Sequence, residues 1–141
     1  MRHKDCIFCQ IVHKEANAFY IHQDDLVTAF MDIHPINPGH VLVIPNVHTP
    51  DLAGLEAACG ARIFTVGQRI AAALRGSELR ADGVNFLLAD GAAAGQEVFH
   101  LHLHVLARYE GDGFGFRRSG QIQREKQDLE GIAGMLRSVL E

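Results

Sequence analysis

Three histidines alternate with apolar residues in the stretch VFHLHLHVL, which covers residues 98–106 of the 141-residue chain. Side chains of a β-strand point alternately to its two faces, so this spacing predicts that His100, His102 and His104 lie on one face of a strand. Imidazole can serve as a metal ligand, a nucleophile or a general acid–base group near neutral pH. The row therefore indicates a metal site or a catalytic site rather than three separate structural histidines.

The loop before this row is suited to holding an anion. In the segment DGAAAGQE, residues 90–97, Gly91 and Gly95 flank three alanines. Backbone N–H groups there can approach a bound ion without obstruction by side chains. Because the loop leads directly into the histidines, the combination indicates a phosphate held beside an imidazole.

A second chemical motif is the C-x-x-C pair formed by Cys6 and Cys9. A redox pair is expected to open a helix after a strand, and no such pattern precedes these cysteines. A structural zinc site needs two more nitrogen or sulfur ligands, which histidines would have to supply because there is no second cysteine pair. A chance pairing is the third alternative. Cys59 lies in an apolar helical pattern and is expected to be a core residue.

Hydrophobic periodicity and turn signals predict the elements that position these residues. The order of elements indicates one α+β domain over residues 1–141, in which an antiparallel sheet carries one long helix and a terminal helix. The predicted elements are a hairpin over residues 24–33 and 37–45, a helix from Thr49 and Pro50 to about residue 76, strands over 83–90 and 98–108, and an amphipathic helix over 129–139.

Composition excludes several classes of protein. The formal net charge is −4, and no basic block is longer than Arg117–Arg118, so binding to nucleic acid is disfavoured. The N-terminus has no signal-peptide pattern, and no apolar run approaches the roughly 20 residues of a membrane helix. A cytoplasmic protein that contacts neither nucleic acid nor membrane is expected.

The motifs together resemble the histidine triad (HIT) superfamily. HLHLHVL fits its His-φ-His-φ-His-φ-φ signature, in which φ is an apolar residue. The blocks CIFCQIVHKE, DDLVTAFMDIHPINPGHVLVIPNVH and DGAAAGQEVFHLHLHVLAR are similar to bacterial members close to the Hint branch, and they span most of residues 6–108. The resemblance implies a five-stranded antiparallel HIT sheet, a C-terminal tail from about residue 109 and a homodimer with a continuous sheet.

The resemblance also implies an enzyme that acts at the α-phosphate of purine nucleotide conjugates, of the adenosine phosphoramidate type. His102 would be the nucleophile and form a nucleotidyl-histidine intermediate. His104 and the backbone N–H groups of Gly95, Gln96 and Glu97 would stabilise the phosphate oxygens. Three alternatives stay open: a dinucleoside polyphosphate hydrolase, an AMP-binding sensor with little turnover, and a triad that binds a catalytic zinc ion.

For the nucleotide pocket, the resemblance implies that Asp32 accepts hydrogen bonds from the ribose hydroxyls, a role that a carboxylate suits. Phe8, Ile11, Phe30 and Ile33 match the apolar wall that contacts the base. Packing in the core is the alternative for these four residues. His40, beside the hairpin turn, is expected to be structural or variable.

Zinc-bearing relatives, including the galactose-1-phosphate uridylyltransferase branch, imply a ligand set for the cysteine pair. The set is Cys6, Cys9, His48 and His100, which would hold a structural Zn²⁺ and leave His102 and His104 for catalysis. Without a metal, His48 would instead contact and orient the triad histidines without being one of them.

Two positions depart from the Hint pattern. Ala89 stands where asparagine is usual, so a hydrogen bond near the phosphate is lost. Glu97 stands where serine or threonine is usual. It could act as an acid if it were buried, or it could repel an additional phosphate. Both departures bear on the choice of substrate more than on the mechanism.

Overall fold

The computed structural model describes residues 3–116 and 128–140. Arg117 and Arg118 therefore lie outside the described residues. Among the described residues, no helix has both the length and the apolar character needed to cross a membrane. The helices are α1 Ile7–Val12, α2 Ala57–Gly76 and α3 Leu129–Leu140, and the strands are β1 Tyr20–Gln23, β2 Val27–Met31, β3 His40–Pro45, β4 Gly83–Leu88 and β5 Leu103–Arg108.

The five strands form one antiparallel sheet in the order β1-β2-β3-β5-β4. The strand that carries His104 therefore lies inside the sheet, where it pairs with β3 on one side and with β4 on the other. His104 lies opposite Leu42 on β3 and opposite Leu87 on β4. The predicted α+β fold with a five-stranded HIT-type sheet is confirmed.

The two faces of the sheet are covered differently. The long helix α2 packs on one face through Ile63, Val66, Ile70 and Leu74, at helical spacing. Gly67 permits this close approach, because a Cβ atom there would lie 3.0 Å from the ring of Phe86. The opposite face carries a smaller cluster in which residues of the short helix α1 pack on β2 and β3; its buried members are Phe8, Ile11, Phe30, Leu42 and Ile44.

The predicted start of the long helix at Thr49 and Pro50 is wrong. The backbone carbonyls of these residues accept tertiary hydrogen bonds instead, from the Leu101 amide at 2.8 Å and from the Gln96 side chain at 2.8 Å. Asp51 caps only a single 3₁₀ turn over Leu52–Gly54. The helix begins at Ala57, after the connection whose carbonyls bond to Leu101 and Gln96.

The last strand is also shorter than predicted, since β5 begins at Leu103 rather than at residue 98. The amide of Leu101 bonds to Thr49 rather than to a neighbouring strand. Two further elements, α1 and β1, were not predicted. The helix α1 has only six residues, and its N-cap is Cys6, whose Sγ atom accepts a hydrogen bond from the Cys9 amide.

Candidate functional site

The predicted metal ligands lie together at the start of α1. Sγ of Cys9 is 3.3 Å from Nδ1 of His48, and Nδ1 of His100 is 3.5 Å from Sγ of Cys6 and 3.6 Å from Sγ of Cys9. All four ligand atoms lie within 4.8 Å of one another. Ordinary zinc bond lengths in a tetrahedral site separate sulfur and nitrogen ligands by about 3.5 Å. The donor types and their spacing therefore suit a tetrahedral metal ion.

The tautomer of His100 also suits metal binding. The residue is fully buried, and its Nε2 lies 2.8 Å from the carbonyl oxygen of Pro45. A carbonyl can only accept, so Nε2 carries the proton and Nδ1 presents its lone pair to the two cysteines. Burial lowers the pKa of His100 to about 4, so the ring is neutral at pH 7 and ready to bind a cation.

Next to this cluster is a pocket of about 500 Å³, on the face of the sheet opposite α2. Such a volume lies in the range of small-molecule sites. Most of the predicted nucleotide-binding and catalytic residues line it: Phe8, Ile11, Phe30, Asp32, Ile33, Gly95, Glu97, His102 and His104. Gln96 and His100 do not line the pocket.

His102 is held in one tautomer by the segment that immediately precedes β5. Its Nδ1 lies 2.9 Å from the carbonyl oxygen of His100, so Nδ1 carries the proton and Nε2 keeps a free lone pair. The ring is buried, lines the pocket and meets the edge of Phe8 at a centroid distance of 5.2 Å. This arrangement presents an oriented nitrogen lone pair to the pocket, which is what a nucleophilic imidazole requires.

His40 completes the site, although it was predicted to be only structural or variable. Its Nδ1 accepts a hydrogen bond from the Ile36 amide at 3.0 Å, so the proton of the ring is on Nε2. This N–H donates a hydrogen bond to Nδ1 of His104 at 2.8 Å. His104 must then be protonated on Nε2, as a hydrogen-bond donor. Burial lowers the pKa of His40 and lowers the pKa of His104 to about 4, so both rings are neutral.

The sequence signal that could have identified His40 is long-range. In the register of β3 and β5, Leu42 lies opposite His104. His40 lies two residues before Leu42 on the same face of β3, diagonal to His104 and within reach of it. Local periodicity does not provide this register.

Asp32 joins the same group and forms a second cluster with metal-like spacing. Its Oδ2 lies 3.4 Å from Nε2 of His40, and its Oδ1 accepts the His34 amide at 2.9 Å. The ligand atoms of Asp32, His40 and His104 lie within 4.8 Å of one another. However, the Ile36 amide forces the proton of His40 onto Nε2, which then has no lone pair for a metal. The geometry instead makes a hydrogen-bonded chain that orients His104.

The glycine-containing loop is fixed by the buried side chain of Gln96. Oε1 of Gln96 accepts the Gly91 amide at 2.8 Å, and Nε2 donates to the carbonyls of Pro50 at 2.8 Å and Val98 at 3.1 Å. Gly91 and Gly95 adopt φ angles of 94° and 92°, which favour glycine.

This loop offers fewer backbone donors than expected. The amides of Gly95 and Gln96 bond to the carbonyls of Ala92 and Gly91 within the loop. Among the described residues, only Glu97 of the three predicted donors keeps an amide without a partner. The Glu97 side chain is exposed, so the burial required for its role as an acid is absent.

Comparison with known proteins connects this arrangement to one family. The HIT domain model matches residues 13–111. A zinc-bound histidine triad family protein from Mycobacterium smegmatis is 44% identical, with 96% of this chain and 93% of that chain covered and a TM-score of 0.76. A HIT family protein from Bacillus anthracis is 38% identical, with 98% and 99% covered and a TM-score of 0.85.

A relative from Arabidopsis thaliana, adenylylsulfatase HINT3, is 36% identical over 77% of this chain and 54% of its own length. The match to the HIT model covers more than half of the chain, and the two solved relatives share its fold as well as its sequence. The chain belongs to the HIT domain family.

Proposed function

We propose that this protein is a nucleotide hydrolase that acts at the α-phosphate of purine nucleotide conjugates, through a covalent intermediate on His102. One observation carries the proposal: the proton of His102 is held on Nδ1 by the His100 carbonyl, which leaves Nε2 free on a ring that lines the pocket. The phosphoramidate of AMP is the substrate type to test first.

The proposed reaction has two steps. Nε2 of His102 donates its electron pair to the α-phosphorus, and the bond to the leaving nitrogen breaks. That nitrogen takes the bonding electrons and a proton from water, and departs as an amine. A second water then attacks the phosphorus, the P–N bond to His102 breaks, its electrons return to Nε2, and the water proton passes to solvent. The products are AMP and the amine.

The other pocket residues would bind and orient the nucleotide. His104 would donate its Nε2–H to a phosphate oxygen, and the amide of Glu97 would donate as well. Asp32 would accept hydrogen bonds from the ribose hydroxyls. Phe8, Ile11, Phe30 and Ile33 would contact the base, with Ile33 at the rim, where 68% of its surface is exposed.

We also propose that Cys6, Cys9, His48 and His100 hold a structural zinc ion. The ion would bind two thiolates and two neutral imidazoles, and it would thereby connect α1 to the segment that carries His100 and His102. This ligand set includes neither His102 nor His104, so both rings stay available in the pocket. The zinc-bound relative from M. smegmatis supports the choice of metal.

A homodimer is proposed through the edge strand β4. All six residues of β4 are half-buried, and the ring of Phe86 on β4 contacts Phe64 of α2, which is 55% exposed. Pairing of two β4 edges would extend the sheet and cover this apolar surface. Light scattering of the intact protein should give twice the chain mass, and a monomer mass would contradict the proposal.

The decisive experiment compares hydrolysis of adenosine 5′-phosphoramidate and diadenosine tetraphosphate by wild type, His102→Ala and His13→Ala. The exposed His13 lies outside the pocket and serves as the matched histidine control. Wild type and the control are expected to hydrolyse the phosphoramidate, and His102→Ala is expected to lose this activity. A preference for the tetraphosphate would favour the dinucleotide hydrolase. Binding of AMP without turnover of either compound would favour a sensor.

A further inference from the structure

The segment EGDGFGF, residues 110–116, follows β5 and lines neither the pocket nor the cysteine cluster. It is folded back onto the end of β5 by Asp112, whose side chain is only 7% exposed. Arg108 donates to both oxygens of this carboxylate at 2.7 Å. The amides of Tyr109 and Phe114 add bonds to it at 3.0 and 3.1 Å. The bonds from Arg108 hold the pKa of Asp112 well below its usual range, so the carboxylate keeps its charge at neutral pH.

One further bond connects this carboxylate to the turn between β2 and β3. Nδ2 of Asn37 donates to Oδ2 of Asp112 at 2.8 Å and to the carbonyl oxygen of Ala107 at 3.0 Å. Because a side-chain amide has two N–H groups, Asn37 can make both bonds at once. The hydroxyl of Tyr109 adds a bond to the carbonyl of Pro38 at 2.9 Å. The turn is therefore fastened to β5 and to the segment that follows it.

The same turn carries the backbone group that sets the proton of His40. The amide of Ile36 donates to Nδ1 of His40 at 3.0 Å. The Ile36 side chain is 44% exposed, so burial of that side chain contributes little to the position of its amide. The adjacent Asn37 has a half-buried side chain that bonds to the rest of the fold. The position of the Ile36 amide therefore depends on the bonds of Asn37.

The pair of His40 and His104 has two possible proton arrangements, because one hydrogen bond of 2.8 Å joins Nε2 of His40 to Nδ1 of His104. In the first, His40 is protonated on Nε2 and His104 presents an N–H to the pocket. In the second, His40 is protonated on Nδ1 and His104 presents a bare nitrogen there. The Ile36 amide opposes the second, since two N–H groups would then face each other. Asp32 favours the first as well, with Oδ2 at 3.4 Å from Nε2 of His40.

We propose that Asn37 and Asp112 are positioning residues of the site. By holding the Ile36 amide against His40, they keep the proton of His104 on Nε2, where it forms the N–H from which a phosphate oxygen can accept a hydrogen bond. The proposal rests on the proposed function only for the use of that N–H, since the proton positions can be measured without a substrate. It assigns to the segment after β5 the role of fixing the turn from outside the pocket.

The test is NMR spectroscopy of the intact protein with ¹⁵N-labelled histidines at neutral pH. Protonated and unprotonated ring nitrogens give widely separated ¹⁵N resonances, and couplings to the ring hydrogens distinguish Nδ1 from Nε2. The variants His40→Gln and His104→Asn assign the signals, because each removes those of one ring. In wild type, both rings should be protonated on Nε2.

Three variants loosen the turn. Asn37→Ala removes both bonds of the side chain and should raise the fraction of His40 protonated on Nδ1 about fivefold, the ratio that one net hydrogen bond supports. Asn37→Asp keeps the shape of the side chain but sets a second carboxylate against Asp112, so its effect should be at least as large. Asp112→Asn weakens the bond from the other side and should shift His40 and His104 in the same direction.

Asn46 provides the matched control at the opposite end of β3. Its half-buried amide also fastens a turn, since Nδ2 donates to the carbonyl of Asp24 at 2.7 Å and Oδ1 accepts from the hydroxyl of Thr28 at 2.6 Å. Asn46→Ala should leave the protonation of His40 and His104 as in wild type.

A proton on Nδ1 of either ring in wild type would overturn the proposal. Unchanged ring signals in both Asn37 variants, or an equal change in Asn46→Ala, would overturn it as well. Unchanged signals in Asp112→Asn alone would overturn the role of Asp112. The expected tautomer shift combined with a failed turnover assay would count against the proposed enzyme alone, because no substrate is present in the NMR measurement.

Discussion

Two histidine clusters lie side by side on one face of the sheet, and they are built for different chemistry. In the first, Nε2 of His100 donates to the backbone carbonyl of Pro45. In the second, Nδ1 of His40 accepts from the backbone amide of Ile36. The first ring is left with a lone pair facing two cysteines. The second is left with an N–H that can only donate.

The difference teaches that spacing alone does not identify a metal site. Both clusters bring at least three ligand atoms within 4.8 Å of one another. The clusters differ in whether the backbone group bonded to the imidazole is a hydrogen-bond acceptor or a donor. This matters because a neutral ring has one donor and one acceptor nitrogen. When a backbone carbonyl accepts from one ring nitrogen, the other nitrogen keeps a lone pair that can bind a metal. When a backbone amide donates to one ring nitrogen, the other carries a proton and can donate a hydrogen bond.

The largest expected effect comes from breaking the first cluster. Cys9→Ser should reduce bound metal from one ion per chain to none and lower Tm by about 10 °C, since metal binding energy is part of the folding energy of such sites. Metal analysis and calorimetry of the purified protein measure both quantities. The His104→Asn variant, which changes the second cluster, should still bind one ion per chain. Loss of metal in this variant would mean that the two clusters are not separate.

A smaller effect is expected from breaking the relay at His40. His40→Ala removes the donor that sets the tautomer of His104, and it should lower kcat for the phosphoramidate by about 10²-fold with little change in KM. His40→Gln can place an amide N–H near the former Nε2 and should recover part of this loss, whereas His40→Asn should not. Unchanged metal content in all three variants is required, and equal activity of the Gln and Asn variants would contradict the tautomer argument.

The smallest effect concerns pH. Burial lowers the pKa of His104 to about 4, against about 6.5 in an unfolded chain. Between these values the unfolded state binds more protons, so stability is lost as pH falls from about 6.5 toward about 4. His104→Asn cannot titrate but keeps an oxygen acceptor for His40. Urea unfolding at a series of pH values should show a shallower slope in the variant, by up to one proton, and an identical slope would rule out a depressed pKa.

Most of the sheet could be predicted from local patterns, and the failures have specific causes. The β-branched and apolar runs of β2, β3 and β4 were recognisable from sequence. Thr49 and Pro50 gave a sound helix-start signal, yet their carbonyls serve Leu101 and Gln96. Tertiary hydrogen bonds overrode a local preference there. The six-residue α1 was too short to show periodicity and depends on Cys6 as its cap.

By itself, the sequence determined which chemical groups are present and how they are spaced along the chain, although only His104 of the three histidines lies within a strand. The alternation of His100, His102 and His104, the C-x-x-C pair and the glycine loop are all local, and the family resemblance follows from them. Tertiary structure alone decided the protonation pattern. His40 reaches His104 only through the register of β3 and β5, and the tautomer of each ring depends on a backbone donor or acceptor.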